Sequence, residues 1–303
     1  MALLNRAGAP PRLRVHLVSR DEELDSLLAR RRIAAHLGGL AAVGGACTAG
    51  PPPDAALVCD DEAATGRLVA AGVPVVHLYS GHRTTSGAPG AAAGALLRQH
   101  RPAWLPGPGP QPPGIRTTGL LAPARTARDR LRGGTLVLLS LYGVAEATAR
   151  AFAEGVLPAL VRAAAERTGR CEVVCDTGLA LVRGALAGRC GPVQVLRAAT
   201  VDVDGLHAGR AVLLASPTLG VLGLAQARRV PLVFLPPLGG AQEDLAARVR
   251  RVVPVPVAGG PDQARVWQPP QEDPWRAPGV AAEDLRGAQR VARSVRQLAL
   301  APP

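Results

Sequence analysis

Hydroxyl, amide and glycine residues gather behind apolar runs in the second half of this chain. Ser140, Tyr142 and Gly143 follow TLVLL, Ser216 and Thr218 follow AVLLA, and Gln242 lies beyond PLVFLPP. Hydroxyls and backbone N–H groups beside a helix start suit an anion such as phosphate. In the first half, Asp21 follows LRVHLVS and His82 follows VPVVHLYS, and each is able to accept or orient a proton. The His82 turn, SGHRTTSG, also offers Ser80, Arg83, Thr84 and Thr85 as donors to a phosphate or an acceptor. A solvated loop held by local hydrogen bonds is the alternative for it.

These residues are placed by alternating strands and helices. AVLLA (Ala211 to Ala215) and PLVFL (Pro231 to Leu235) lack polar alternation, as expected of parallel strands covered on both faces, with Leu219, Leu222, Leu224 and Ala225 on a helix between them. Ligands of open α/β sheets bind beyond the carboxyl ends of such strands, where Ser216 to Thr218 and Pro236 to Gln242 fall. TLVLLSLYG, CEVVCD and VQVLRAA read as further strands, and VAEATARAFAEGVLPALVRAAAERTG as one long helix. In the first half, LRVHLVS, DAALVCD and VPVVHLYS read as strands, with a weaker one near Ala41 to Val43. A helix with Leu24, Leu27, Leu28 and Ile33 on its apolar face begins near Ser19, and another helical stretch spans Ala91 to His100.

RPAWLPGPGPQPPGIRTTGLLAP is too rich in proline for a continuous helix or sheet. It reads as a linker that Trp104 anchors. The division expected is a leader over 1–11, an amino-terminal domain over 12–100, a linker over 101–132 and a carboxyl-terminal domain over 133–303. The last helix, with Leu285, Val291, Val295 and Leu298 as packing positions, either closes its own domain or returns to the other half.

Composition removes several chemistries. All 35 basic residues are Arg, so Walker A and Schiff-base lysine chemistry are excluded. The net charge of +12 would attract anions, but scattered charges and scarce stacking aromatics disfavour nucleic acid as a partner. Five cysteines, an odd number, without a signal-peptide pattern point to a reducing cytoplasm, and no apolar run is long enough for a membrane span. Asp202, Asp204 and His207 read as turn and helix-cap residues rather than metal ligands, so no metal is expected. GxGxxG is absent, which disfavours a dinucleotide.

The order of elements resembles the GT-B glycosyltransferases, in particular the cytosylglucuronic acid synthase-related proteins of actinobacterial nucleoside-antibiotic clusters. Thr135 to Arg250 carries most of the likeness. The resemblance implies two facing Rossmann-like domains with parallel sheets, no cofactor, and a nucleotide diphosphate sugar as substrate beside a small-molecule acceptor. It places the donor on Ser140, Tyr142, Gly143, Ser216, Thr218 and Gln242, with Asp21 or His82 as the base. The acidic residue that holds the ribose in that family falls here on Leu224, its glycine on Thr218, and its Gly-His turn is replaced by LVSRDEEL. Those departures motivate a second expectation, a non-catalytic relative that binds and stabilises or activates a glycosyltransferase or another biosynthetic enzyme, with a homodimer or a glycosyltransferase partner as the protein partners expected.

Overall fold

The computed structural model describes residues 13–38, 41–44, 52–82, 94–107, 113–190, 193–260, 263, 267 and 272–301. The leader expected over 1–11 and Arg83, Thr84 and Thr85 lie outside the described residues.

Two parallel sheets form in chain order. The first is built from β1 (Arg14–Ser19), β2 (Ala41–Gly44), β3 (Ala55–Cys59), β4 (Val75–Tyr79), β5 (Leu96–Gln99) and β6 (Arg116–Thr117), with α1 (Leu24–Ala34) and α2 (Glu62–Ala70) in its crossovers. Its strand order is β2-β1-β3-β4-β5-β6, with registers such as Leu17 opposite Leu57 and Leu57 opposite Val76. The second is built from β7 (Thr135–Leu139), β8 (Cys171–Cys175), β9 (Val193–Arg197), β10 (Val212–Ala215) and β11 (Val233–Phe234) in the order β11-β10-β7-β8-β9. Every residue of β3, β4, β7 and β8 is buried, which explains why those runs show no polar alternation.

The crossovers of the second sheet carry α3 (Glu146–Glu154), α4 (Val156–Thr168), α5 (Leu179–Leu186), α6 (Val203–Ala208), α7 (Leu219–Ala227) and α8 (Gly240–Arg250). The single long helix expected after β7 is two helices that meet at Gly155. Pro158 has no N–H to donate to the Glu154 carbonyl, so the helical ladder fails there. The helix expected over Ala91 to His100 is strand β5 where it is described, because its backbone pairs with β4 on one side and β6 on the other. β6 itself falls inside the proline-rich span read as linker.

The final helix, α9 (Gly287–Leu300), returns to the first sheet. Ala288, Val291, Ala292, Val295 and Ala299 join Val15, Leu57 and Leu78 in one apolar cluster. The span 133–303 therefore contributes to both halves of the molecule.

Helix α1 joins the two sheets into one body. Ala29 and Ile33 pack into the cluster of the first sheet, while Leu24, Leu27 and Leu28 enter a cluster with Leu219, Leu222 and Leu224 of α7. It is apolar on two sides because it is covered on two sides. Trp104 is buried against the same cluster and donates its indole N–H to Gln226 Oε1 at 2.9 Å, which fixes the linker to α7.

Candidate functional site

The turns that follow β1, β3 and β4 in the first half meet those that follow β7, β8 and β10 in the second. Four carboxyls gather there: Glu23 and Asp25 at the start of α1, Asp60 after β3, and Asp176 after β8. Asp60 holds a left-handed φ of 60°, which a short polar side chain tolerates, and accepts from the Ser80 hydroxyl and from Ser80 N at 2.8 Å. Asp176 accepts from Ser140 Oγ at 2.7 Å and Leu141 N at 2.8 Å, and more distantly from Leu24 N at 3.4 Å. Burial raises the pKa of both, and their hydrogen bonds oppose the rise.

Glu23 differs from these. Among the described residues its buried Oε2 has no hydrogen-bond partner, and the nearest cation, Arg20, stands 3.9 Å away. Burial, reinforced by the neighbouring Asp60 and Asp25 carboxylates, pushes its pKa up to about 8. A carboxyl with a free oxygen that changes charge near neutral pH is suited to proton transfer.

Asp25 reaches across the boundary between the halves to the amino end of α7. It accepts from Leu219 N at 3.1 Å and Gly220 N at 2.7 Å, while Thr218 Oγ1 accepts from Val221 N at 3.4 Å and the Thr218 carbonyl from Leu222 N at 3.2 Å. All four first-turn N–H groups of α7 are thus occupied from within the chain, two of them by a carboxylate in the place an anionic ligand would take. Burial raises the Asp25 pKa to about 6 against the opposing effect of these N–H bonds.

The expected donor residues come together, but most face inward. Ser216 is fully buried and its Oγ accepts from Ser140 N at 3.0 Å. Gln242 donates to the Ser140 carbonyl at 3.0 Å and accepts from Leu238 N at 3.1 Å. Ser140, Ser216, Thr218 and Gln242 therefore stitch the ends of β7 and β10 to α7 and α8. Tyr142 is exposed, with its hydroxyl accepting from Arg20 at 3.3 Å, and Gly143 supplies a turn at φ 70° with open space above its Cα. Leu224, at the position of the family's acid, is fully buried in the shared apolar cluster.

Of the two expected bases, Asp21 sits on the exposed side of its turn, accepting from Ser19 Oγ at 2.7 Å and from Arg30 at 3.1 Å. His82 is held by Asp244 of α8 at 2.5 Å, and burial lowers its pKa despite that carboxylate. Glu23 was not singled out by the sequence. The acidic run DEEL was the only signal, and helix phase decides which member turns inward. His100 also escaped notice. It accepts from Leu121 N with Nε2, which leaves Nδ1–H to donate to the Ser80 carbonyl at 3.1 Å, and burial with Arg32 nearby drives its pKa to about 3. It is a neutral strut between β4 and the linker.

Among known families, the profile of the CGA synthase-related proteins matches residues 15–303. The chain belongs to this family. No curated protein matches it. Among solved structures, the chain is similar to the glycotransferase of kitacinnamycin, at 16% identity and a TM-score of 0.51 over 96% of this chain and 100% of that one. It is also similar to S. aureus MnaA with UDP, at 12% identity and a TM-score of 0.50 over 96% and 99%. The fold of the CGA synthase-related chain is accordingly GT-B, two Rossmann-like halves with parallel sheets. No helix among its described residues is long and apolar enough to cross a membrane.

Proposed function

We propose that the chain transfers a sugar from a nucleotide diphosphate donor to a small acceptor in secondary metabolism, with Glu23 in place of Asp21 or His82 as the base. The observation that carries this reading is the buried carboxyl oxygen of Glu23, which has no hydrogen-bond partner among the described residues, amid the turns of both sheets. Ionised Glu23 takes the acceptor's hydroxyl proton as that oxygen bonds to the anomeric carbon. The sugar–phosphate bond breaks and the nucleotide diphosphate leaves with the electron pair. For the diphosphate to reach the α7 N–H groups, Asp25 must move off them, so that the leaving oxyanion meets preset donors.

Screening donors and acceptors with mass-spectrometric detection of product tests the reaction. Glu23→Gln should lower kcat by about 10²- to 10⁴-fold while leaving donor affinity within about threefold. The rate of the unmodified protein should climb with pH through about 8, as Glu23 loses its proton. Calorimetry that detects no binding of any nucleotide diphosphate sugar, to either the native chain or Asp25→Asn, would sink the proposal.

Leu224 and the seated Asp25 favour a second reading, a non-catalytic GT-B relative that stabilises a biosynthetic glycosyltransferase or a second copy of itself. An aliphatic side chain buried in the core supplies no acceptor for two ribose hydroxyls. Absence of donor binding in Asp25→Asn, together with a partner enzyme that gains activity when mixed with this chain, would establish that reading instead.

A further inference from the structure

A cavity of about 570 Å³ opens at the far end of α1, between the last turn of that helix, the linker at Pro123 to Arg125, and the segment from Ala199 through α6. The seven residues from Asp25 to Arg32 place it about 10 Å along α1 from the carboxyl cluster. Arg31, Arg125 and Arg228 line it, together with Asp202 and the Arg32–Asp204 pair.

The charges do not balance. Arg32 and Asp204 neutralise each other through two parallel bonds of 2.9 and 2.7 Å. Arg31 spends its donors on the carbonyls of Ala198, Ala199 and Val201. Arg228 donates to the carbonyls of Asp204 at 2.7 Å and Arg125 at 2.9 Å, and to His207 Nδ1 at 2.8 Å. His207 is neutral, because burial and the adjacent Arg228 push its pKa down to about 3. Neither Arg31 nor Arg228 has an ion-pair partner among the described residues, and the rim residue Arg125 has only Asp129, at 3.0 Å. Asp21, Asp202 and Asp204 oppose Arg31, and Asp204 and Asp202 oppose Arg228, but the lining holds four arginines against two aspartates, an excess of two positive charges. The pKa of both arginines is lowered chiefly by burial, as expected of cations that have lost water without gaining a counterion.

We infer that this cavity binds a small molecule carrying a phosphate or diphosphate group. Its volume lies in the range of small-molecule sites, and a phosphate monoester, at close to two negative charges, offsets the excess better than a single carboxylate. Its residues come from α1, the linker and the second half, so an occupant would bridge all three. The inference does not rest on sugar transfer, because none of these side chains belongs to the turns assigned to donor or acceptor.

Inorganic pyrophosphate is the probe, titrated calorimetrically into the intact chain at low salt. The expected result is saturable binding that Arg125→Ala weakens about threefold to tenfold and Asp202→Asn tightens by a similar factor. Glu166→Gln, an exposed change on α4 with the same effect on net charge, should leave affinity within about twofold. Both Arg125 and Asp202 are exposed, so their variants should fold. Absence of saturable binding overturns the inference, as does an equal response to Asp202→Asn and Glu166→Gln. Binding that ignores Arg125 and Asp202 and responds only to Asp25→Asn places the anion at α7 and also overturns it.

Discussion

At the scale of single residues, two acids at the start of α1, Asp25 buried and Glu23 half-buried, link function to stability. Asp25 and Glu23 have folded pKa values of about 6 and about 8, both above their unfolded values. A raised carboxyl pKa means that the folded state binds the proton more tightly. Its stabilising contribution is therefore full below about pH 4 and is lost as pH rises through 6 for Asp25 and through 8 for Glu23. Buried His100 and His207, with pKa values of about 3, act the other way and add stability as pH rises to about 6.5. The melting temperature should therefore fall between pH 6.5 and 8.5, Glu23→Gln should flatten that fall, and Asp25→Asn should make stability rise more steeply between pH 4 and 6. Scanning calorimetry across the range checks this; a melting temperature that rises from pH 6.5 to 8.5 in the native chain contradicts it. These two acids also mark what was legible in the sequence. The turn after the first strand is conspicuously acidic, yet Asp21 faces solvent while Glu23 turns toward Asp60 and Gly81 and Asp25 reaches the other half. That selection depends on where α1 begins, and the helix starts at Leu24 rather than near Ser19.

At the scale of elements, two glycines let α7 pack closely, Gly220 against α1 and Gly223 against the linker backbone at Leu121. A Cβ on Gly220 would lie 2.9 Å from both Asp25 Oδ1 and Leu28 Cδ1, and one on Gly223 would lie 2.6 Å from the Leu121 carbonyl oxygen. The second neighbour is backbone and cannot swing away. Gly223→Ala should therefore destabilise by about 2–3 kcal/mol, although alanine is the better helix former by about 1 kcal/mol. Gly184→Ala on α5, where nothing lies within 4 Å, should be neutral or stabilising by up to about 1 kcal/mol. Urea denaturation of the two variants checks the contrast. The sequence does not reveal this function of the α7 glycines, since nothing local says that another helix crosses there. Strands buried on both faces were readable from their continuous apolar runs, as at β7 and β10. Strand β5, LLRQ, was not, because its conformation comes from pairing on both edges rather than from its own composition.

At the scale of the molecule, closure of the two halves depends on a buried ion pair that neither half contains alone. Arg32 of α1 is 1% exposed, pairs with Asp204 of α6, and donates to the carbonyls of Leu121 at 2.8 Å and Gly220 at 2.9 Å. The guanidinium holds Asp204 below the usual carboxylate range against the cost of burial. Removing one partner leaves the other, largely buried charge without its counterion. Asp204→Leu should thus cost about 3–5 kcal/mol, and Arg32→Met a similar amount. Replacing both together removes the stranded charge but still leaves the Leu121 and Gly220 carbonyls without the Arg32 donor, so Arg32→Met/Asp204→Leu should cost less than the sum of the two single variants. A double-mutant cycle by urea denaturation measures that coupling, and small-angle scattering of the single variants reports whether the halves move apart. Costs that simply add, with no recovery in the double variant, would mean that the pair is hydrated and that Asp25 on α7, with the apolar faces of α1 and α9, holds the halves together.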